Sequence, residues 1–352
     1  MSLFGDNSVK SEGKVAGNIK SEKKEKIKVK TQKIKDIEEE KIVDYQNIKE
    51  LKQISSFLDV EDKILEQFKN NRLHHTTMLS GNYGIGKATF AYWIISRMIL
   101  STCEDLENER NLKAMHIELL ERNIHPDVFF LELQDGENEI KIEQIRTLLE
   151  KIAVKSTYGN KFIVIDDINS INKNGINAML KTLEEPPVNT YFFLINHLTT
   201  KLLDTIYSRC HEIKMSFSRN DCLKVLQQMH EDWSFDEIEF YTDISNNSIK
   251  FANILAELGL KTIINNGGNN QNLSISQLLN VAYERIDTGC KTLSKVLKKT
   301  LLERIMMFIL NKSIISDVET NNRCNLQVVR QNTQILKQFI DIKKFDLPVR
   351  FV

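Results

Sequence analysis

Gly81-Asn82-Tyr83-Gly84-Ile85-Gly86-Lys87-Ala88 stands between a short β-rich run, Thr76-Thr77-Met78-Leu79, and an apolar stretch from about Lys87 that reads as a helix. G-x-x-x-x-G-K after a strand and before a helix is the pattern of a phosphate-binding loop, or P-loop. Its glycines let backbone N–H groups curl round phosphate oxygens. The lysine reaches the β- and γ-phosphates, and the helix N-terminus adds partial positive charge. Gly81, Gly84, Gly86 and Lys87 are therefore the expected nucleotide-binding residues. Only 13 of the 352 residues are glycine, so their clustering in this loop is not a compositional accident. One part is missing. Position 88 should offer a Ser or Thr hydroxyl to Mg²⁺, and Ala88 has none. Thr89 is turned about 100° further round the helix and does not substitute.

Outward from the loop, strands and helices alternate. Val128 to Leu133 reads as a second strand, and Ile142, Ile145, Leu149 and Ile152 mark a helix face. Phe162-Ile163-Val164-Ile165 is a continuous apolar run, as expected of a strand buried on both sides. A helix from Gly175 to Glu185 is ended by Pro186-Pro187, because proline disfavours helix in the residue before it. Tyr191 to Ile195 is a fourth strand and His211 to Lys214 a fifth. This alternation predicts an α/β fold, a parallel sheet with helices on both faces. Asp166 and Asp167 end the third strand. Asp166 is placed to help hold Mg²⁺. Asp167 lies where hydrolysing ATPases usually carry a Glu that orients water. A side chain one methylene shorter sits about 1 Å back, a displacement that costs on the order of 10²-fold. The alternative is that both aspartates cap a strand-to-helix turn.

The outer parts of the chain differ in kind. Residues 1–44 are rich in Lys, Glu and Ser and read as a solvated, disordered tail. The α/β part spans 45–216. Residues 217–262 hold about three short helices, 263–273 are a polar Asn/Gly linker, and 274–352 return to long amphipathic helices. Lys+Arg and Asp+Glu both total 48, so attraction to nucleic acid has to come from a local patch. No run of about 18 apolar residues exists and no apolar signal core opens the sequence, so a cytoplasmic protein with no membrane span is expected. Five scattered cysteines without a C-x-x-C pair argue against a disulfide framework.

Together with the loop and the Asp-Asp strand, three further motifs carry a family resemblance. They are His125-Pro126-Asp127, Asn177-Ala178-Met179-Leu180-Lys181-Thr182-Leu183-Glu184-Glu185-Pro186-Pro187, and Ser208-Arg209-Cys210. In this order they resemble the clamp-loader AAA+ family, nearest to the delta-prime subunits of bacterial DNA polymerase III. The resemblance covers roughly residues 50 to 260 and is most specific in 160–212. It implies an AAA+ core over 45–216, an all-α lid over 217–262 and an all-α collar for oligomerisation over 274–352. It also implies that Arg209 is an arginine finger reaching the ATP of a neighbouring subunit, the other reading being a surface arginine in an ion pair. Asn196 falls at the sensor-1 position, and Lys250 at the sensor-2 position as a point charge without arginine's fork.

Members of that family commonly carry a four-cysteine zinc module after the P-loop helix. Here Ser101 to Arg122 holds Cys103 alone, so no zinc is expected, and His116 and His125 read as surface or core histidines. No cofactor is assigned beyond a degenerate ATP/ADP site. The function implied is that of a non-motor clamp-loader subunit. Its partners are the gamma/tau and delta subunits in a hetero-oligomer, with the sliding clamp and primed DNA reached through the complex. Two other readings stay open at this point: an ATP-hydrolysing gamma/tau-like subunit, which calls for a Mg²⁺ ligand at position 88, and a P-loop nucleotide kinase, which calls for an arginine-rich lid.

Overall fold

A computed structural model describes residues 55–103, 109–133, 137, 139–198, 201–262, 275–290, 293 and 295–321. The tail at 1–44, the linker at 263–273 and the end of the chain from 322 lie outside the described residues. Helix α1 (Ser55–Lys69) precedes β1 (Thr76–Ser80), and α2 (Lys87–Ser101) and α3 (Glu109–Glu121) follow the loop. Then come β2 (Val128–Glu132), α4 (Ile142–Ala153), β3 (Lys161–Asp166), α5 (Lys173–Glu184), β4 (Thr190–Asn196), the short α6 (Asp204–Tyr207) and β5 (His211–Lys214). All pairings are parallel, in the order β2-β3-β4-β1-β5.

The strand side chains alternate between two cores. Met78, Ile163, Ile165, Phe192 and Leu194 belong to one cluster with Ile145 and Ile152 of α4 and Met179 and Leu183 of α5. Phe162 and Tyr191 lie on the other face, where Phe68 of α1 packs at 6.1 and 5.4 Å between ring centroids. Burial on both faces explains why the strands read as unbroken apolar runs. Chain crossings are capped locally. Asn172 Oδ1 accepts the Gly175 N–H at 2.8 Å to start α5. The buried Lys161 ammonium donates to the carbonyls of Lys151, Ile152 and Val154 and so closes the C-terminus of α4.

Past the sheet, α7 (Arg219–Met229), α8 (Phe235–Ser245) and α9 (Ile249–Glu257) pack on one another, each begun by a serine cap: Ser218, Ser234 and Ser248. Ser56 at the start of α1 donates its backbone N–H to Asp221 of α7 at 3.0 Å, tying this group to the α/β part. Helices α10 (Ile275–Gly289) and α11 (Lys295–Asn321) pair with each other, and Phe308 of α11 meets Phe240 of α8 edge-on at 5.3 Å.

The His-Pro-Asp segment forms a buried polar lock ahead of β2. His116 Nδ1 and His125 Nε2 are 3.0 Å apart, and the Asp127 N–H donates to His125 Nδ1 at 3.2 Å. Nδ1 of His125 is thus an acceptor, so the neutral ring carries its proton on Nε2 and donates to His116. Burial, then His116, hold His125 down to about 4 from an ordinary 6.5, with Asp127 opposing. Between those values the unfolded chain binds the proton and the folded chain does not. Stability is therefore full above about pH 6.5 and falls as pH drops toward 4, by up to about 3 kcal/mol. Urea midpoints measured from pH 7.5 to 4.5 should fall with acidity, and His125→Asn should flatten that slope.

Candidate functional site

The C-terminal ends of the strands gather the expected residues. Asp166 of β3 is opposite Ile195 of β4, Ser80 of β1 is opposite Asn196, and the loop 81–86 leaves β1 at this edge. Gly84 and Gly86 have φ of +76° and +89°, left-handed values that a side chain strains, and Gly86 is the N-cap of α2. Gly84 also answers to a close neighbour. A Cβ there would lie 2.4 Å from Ser248 Oγ and 2.7 Å from Lys250 Cβ, so the start of α9 sits directly on the loop.

Lys87 is turned back on that loop. It is 2% exposed, and its ammonium donates to the carbonyls of Gly81 at 2.8 Å and Asn82 at 2.6 Å. Burial pulls its pKa down to about 8, against the attraction of Asp166 and Asp167. Asp166 already has partners of its own. His197 Nε2 lies 3.1 Å from Oδ1, and the Lys250 ammonium stands 5.2 Å from the centroid of the Tyr83 ring, within electrostatic reach of the carboxylate. Burial pushes Asp166 up, but the His197 hydrogen bond and charge, with Lys250 and Lys87, outweigh it and hold the carboxyl below the usual range. Burial likewise works against charge on Lys250, and Tyr83, Asp166 and Glu132 more than offset it, so this ammonium is held above its ordinary value.

Asp167 and Asn196 are engaged in structure. Asp167 Oδ1 accepts the Asn169 N–H at 3.0 Å and caps the 3₁₀ turn at Ile168–Ser170. Asn196 is fully buried. Its carbonyl accepts from Asn169 at 3.0 Å and from the Leu198 N–H at 2.9 Å, and its amide faces Ser80 and Tyr207.

Arg209 lies apart from this group. Its Nε and Nη2 donate to Glu184 Oε2 at 3.2 and 2.9 Å, and Nη1 donates to the Thr205 carbonyl and to Ser208 Oγ, both at 3.1 Å. The side chain is 28% exposed and that of Glu184 60% exposed. Its neighbour Cys210 packs against the core cluster, where burial pushes the thiol up to about 12, an inert anchor at neutral pH. One residue of the Ser-Arg-Cys triplet therefore pins the chain to the core and the next places a guanidinium at the surface.

Among the described residues no group of three His, Cys, Asp or Glu could hold a metal ion, and no helix is long and apolar enough to cross a membrane. Space does not decide whether a nucleotide fits. A cavity of about 580 Å³ opens beside Asn82, Tyr83 and His197, within the usual range for small-molecule sites. Chemistry does decide it. Lys87 is bonded to its own loop, Ser248 and Lys250 crowd Gly84, Asp166 already has a cationic neighbour, and position 88 has no hydroxyl. The residues as arranged do not fit a Mg²⁺-nucleotide.

Gly81, Gly84, Gly86, Lys87, Asp166 and Lys250 are thus brought together, Asp167 and Asn196 flank them, and Arg209 stands elsewhere. Sequence reasoning missed three participants: His197 on Asp166, Tyr83 beneath Lys250, and Glu184 on Arg209. A polar residue just past the end of β4 was a signal for His197, since parallel register puts it beside the end of β3.

A family model for DNA polymerase III, delta subunit, matches residues 58–219. The delta' subunit of DNA polymerase III from Buchnera aphidicola subsp. Acyrthosiphon pisum (strain APS) is 33% identical over 150 residues, 42% of this chain and 45% of that one. The delta' subunit of Escherichia coli (strain K12) is 29% identical over 151 residues, 42% and 44% of the two chains. The gamma subunit from Buchnera aphidicola subsp. Schizaphis graminum (strain Sg) is 31% identical over 206 residues, 56% and 55%. The chain spans about half the length of the curated relatives it matches. With its P-loop on a parallel β2-β3-β4-β1-β5 sheet and these matches across it, the chain is similar over its α/β part to the delta' and gamma subunits of DNA polymerase III.

Proposed function

We propose that this chain is a non-motor, delta-prime-like subunit of a clamp loader, one that does not hydrolyse ATP itself and lends Arg209 to the triphosphate of an adjoining subunit. The observation that carries this reading is Lys87, whose ammonium is satisfied by its own loop carbonyls at 2.8 and 2.6 Å. A P-loop lysine so engaged is withdrawn from phosphate, and Ala88 supplies no ligand for the Mg²⁺ that phosphoryl transfer uses. Arg209 supports the second half. It is held at the surface, away from its own loop, in a rigid hydrogen-bonded pose. On this reading residues 217–262 are the lid, with Lys250 and Ser248 closing it onto the P-loop, and 274–352 are the collar that joins the gamma/tau and delta subunits. The assembly then acts on the sliding clamp and primed DNA, in the cytoplasm.

The gamma match, the longer of those above at 206 residues, favours a second reading, an ATP-hydrolysing gamma-like subunit. One experiment separates them. The chain is assayed alone with Mg²⁺-ATP, then mixed with gamma/tau and delta subunits, with a pulldown of each mixture. The expected result is no Mg²⁺-dependent turnover alone, co-purification with the others, and faster turnover by the mixture when the chain is included. Steady turnover by the isolated chain would overturn the non-motor reading in favour of the gamma-like one.

A further inference from the structure

We infer that Glu184 is a positioning residue for Arg209, an acid that holds one edge of the guanidinium so that the other is presented outward. This rests on the proposed role of Arg209 as a donor to a neighbouring triphosphate. Glu184 is the last residue of α5, where the helix dipole disfavours a carboxylate. Left to itself, an exposed carboxylate there would turn into solvent. Instead a single oxygen, Oε2, accepts from both Nε and Nη2 of Arg209, twenty-five residues further along the chain.

The geometry divides the guanidinium. Its side-on edge, Nε and Nη2, belongs to Glu184. Nη1 is held by the Thr205 carbonyl and Ser208 Oγ, both of which belong to the turn that carries Arg209 itself. Of the five N–H groups, this leaves the second N–H of Nη2, on the end-on edge, with no partner among the described residues. Ser208 Oγ can also yield, because it donates to the same Thr205 carbonyl at 3.1 Å and does not depend on Nη1. The end-on edge is the one left to meet a phosphate oxygen, and it is fixed in direction by contacts on two sides.

An exposed pair of this kind contributes little to folding stability, so its consequence is geometric. Arginine is long and rotamer-rich, and a guanidinium that has to meet a transferring phosphoryl group loses rate steeply when it is out of place. The opposite possibility, that Glu184 competes with the triphosphate for Arg209, predicts faster turnover or a lower KM when the acid is removed.

The test uses the reconstituted loader carrying wild-type chain, Glu184→Ala, Glu184→Gln, Arg209→Ala and the Glu184→Ala/Arg209→Ala double variant. Glu184→Ala is expected to lower kcat for ATP at the site Arg209 faces by about 10-fold, a fraction of the effect of an ångström-scale displacement, with KM and assembly unchanged. Glu184→Gln, whose amide oxygen still accepts from the guanidinium, should recover part of that loss. In the Arg209→Ala background Glu184→Ala should cost nothing further, which a general structural defect would not produce. Wild-type kcat for Glu184→Ala beside a disabled Arg209→Ala sinks the positioning role and leaves the donor role standing. So does a raised kcat or a lowered KM. If Arg209→Ala itself turns over at the wild-type rate, it is the donor role that fails.

Discussion

On the proposed donor role, replacing Arg209 with alanine should slow turnover at the neighbouring triphosphate by about 10³-fold, the lower end of what an arginine supplied across an interface contributes to phosphoryl transfer. Assembly should be unaffected, because Arg209 is a partly exposed side chain whose hydrogen bonds among the described residues go to Glu184, Ser208 and Thr205. Folding should be nearly unaffected as well, since an exposed pair contributes about 1 kcal/mol or less. Single-turnover ATP cleavage by the reconstituted complex gives the rate, and size-exclusion chromatography gives the assembly. Arg209→Lys should recover little. An ammonium keeps the charge but has no second edge with which to hold Glu184 while donating to phosphate. An unchanged rate in Arg209→Ala would reduce this residue to the surface ion pair that the isolated chain displays.

The largest effect on stability is expected at Asp127. This carboxylate is 1% exposed and accepts the Thr157 N–H at 2.9 Å and the Tyr158 N–H at 2.6 Å, holding the approach to β3 against the start of β2. Its own carbonyl accepts the Phe162 N–H at 2.9 Å, so the segment joins the two strands by side chain and backbone alike. Asp127→Ala leaves two N–H groups short of a charged acceptor, each such bond being worth about 1.5–3 kcal/mol, and should cost about 3 kcal/mol or more in urea denaturation. Asp127→Asn should recover only part, because the amide offers an acceptor to one N–H and a donor to the other. A loss below about 1 kcal/mol would mean that water replaces the carboxylate at these N–H groups. His-Pro-Asp, which in the sequence carries part of a family resemblance, thus acts in the fold as a structural clamp.

Much of the α/β core was legible because its signals are local. Phe162 to Ile165 is apolar at every position, as a strand covered on both faces has to be, and the structure extends it only to Lys161 and Asp166. Gly84 and Gly86 mark the turn because their φ values are open to glycine. Pro186-Pro187 stops α5, which ends at Glu184, because of a clash within neighbouring residues. Ala88 was equally legible, since a missing hydroxyl needs no structure to be missed.

The state of the site was not legible. His197 meets Asp166 across 31 positions, Glu184 meets Arg209 across 25, and Ser248 and Lys250 come down on Gly84 from a separate helical group. Each meeting depends on strand register and helix packing, which set the position of a side chain to within a hydrogen bond's length. By itself the sequence determined a parallel P-loop sheet and a phosphate loop without its magnesium ligand, since these follow from backbone conformation and residue chemistry close along the chain. Only the tertiary structure decided that Lys87 folds back on that loop, that a histidine bonds Asp166 with a lysine in electrostatic reach, and that Arg209 is held by an acid at a helix end, because polar groups settle their partners through space.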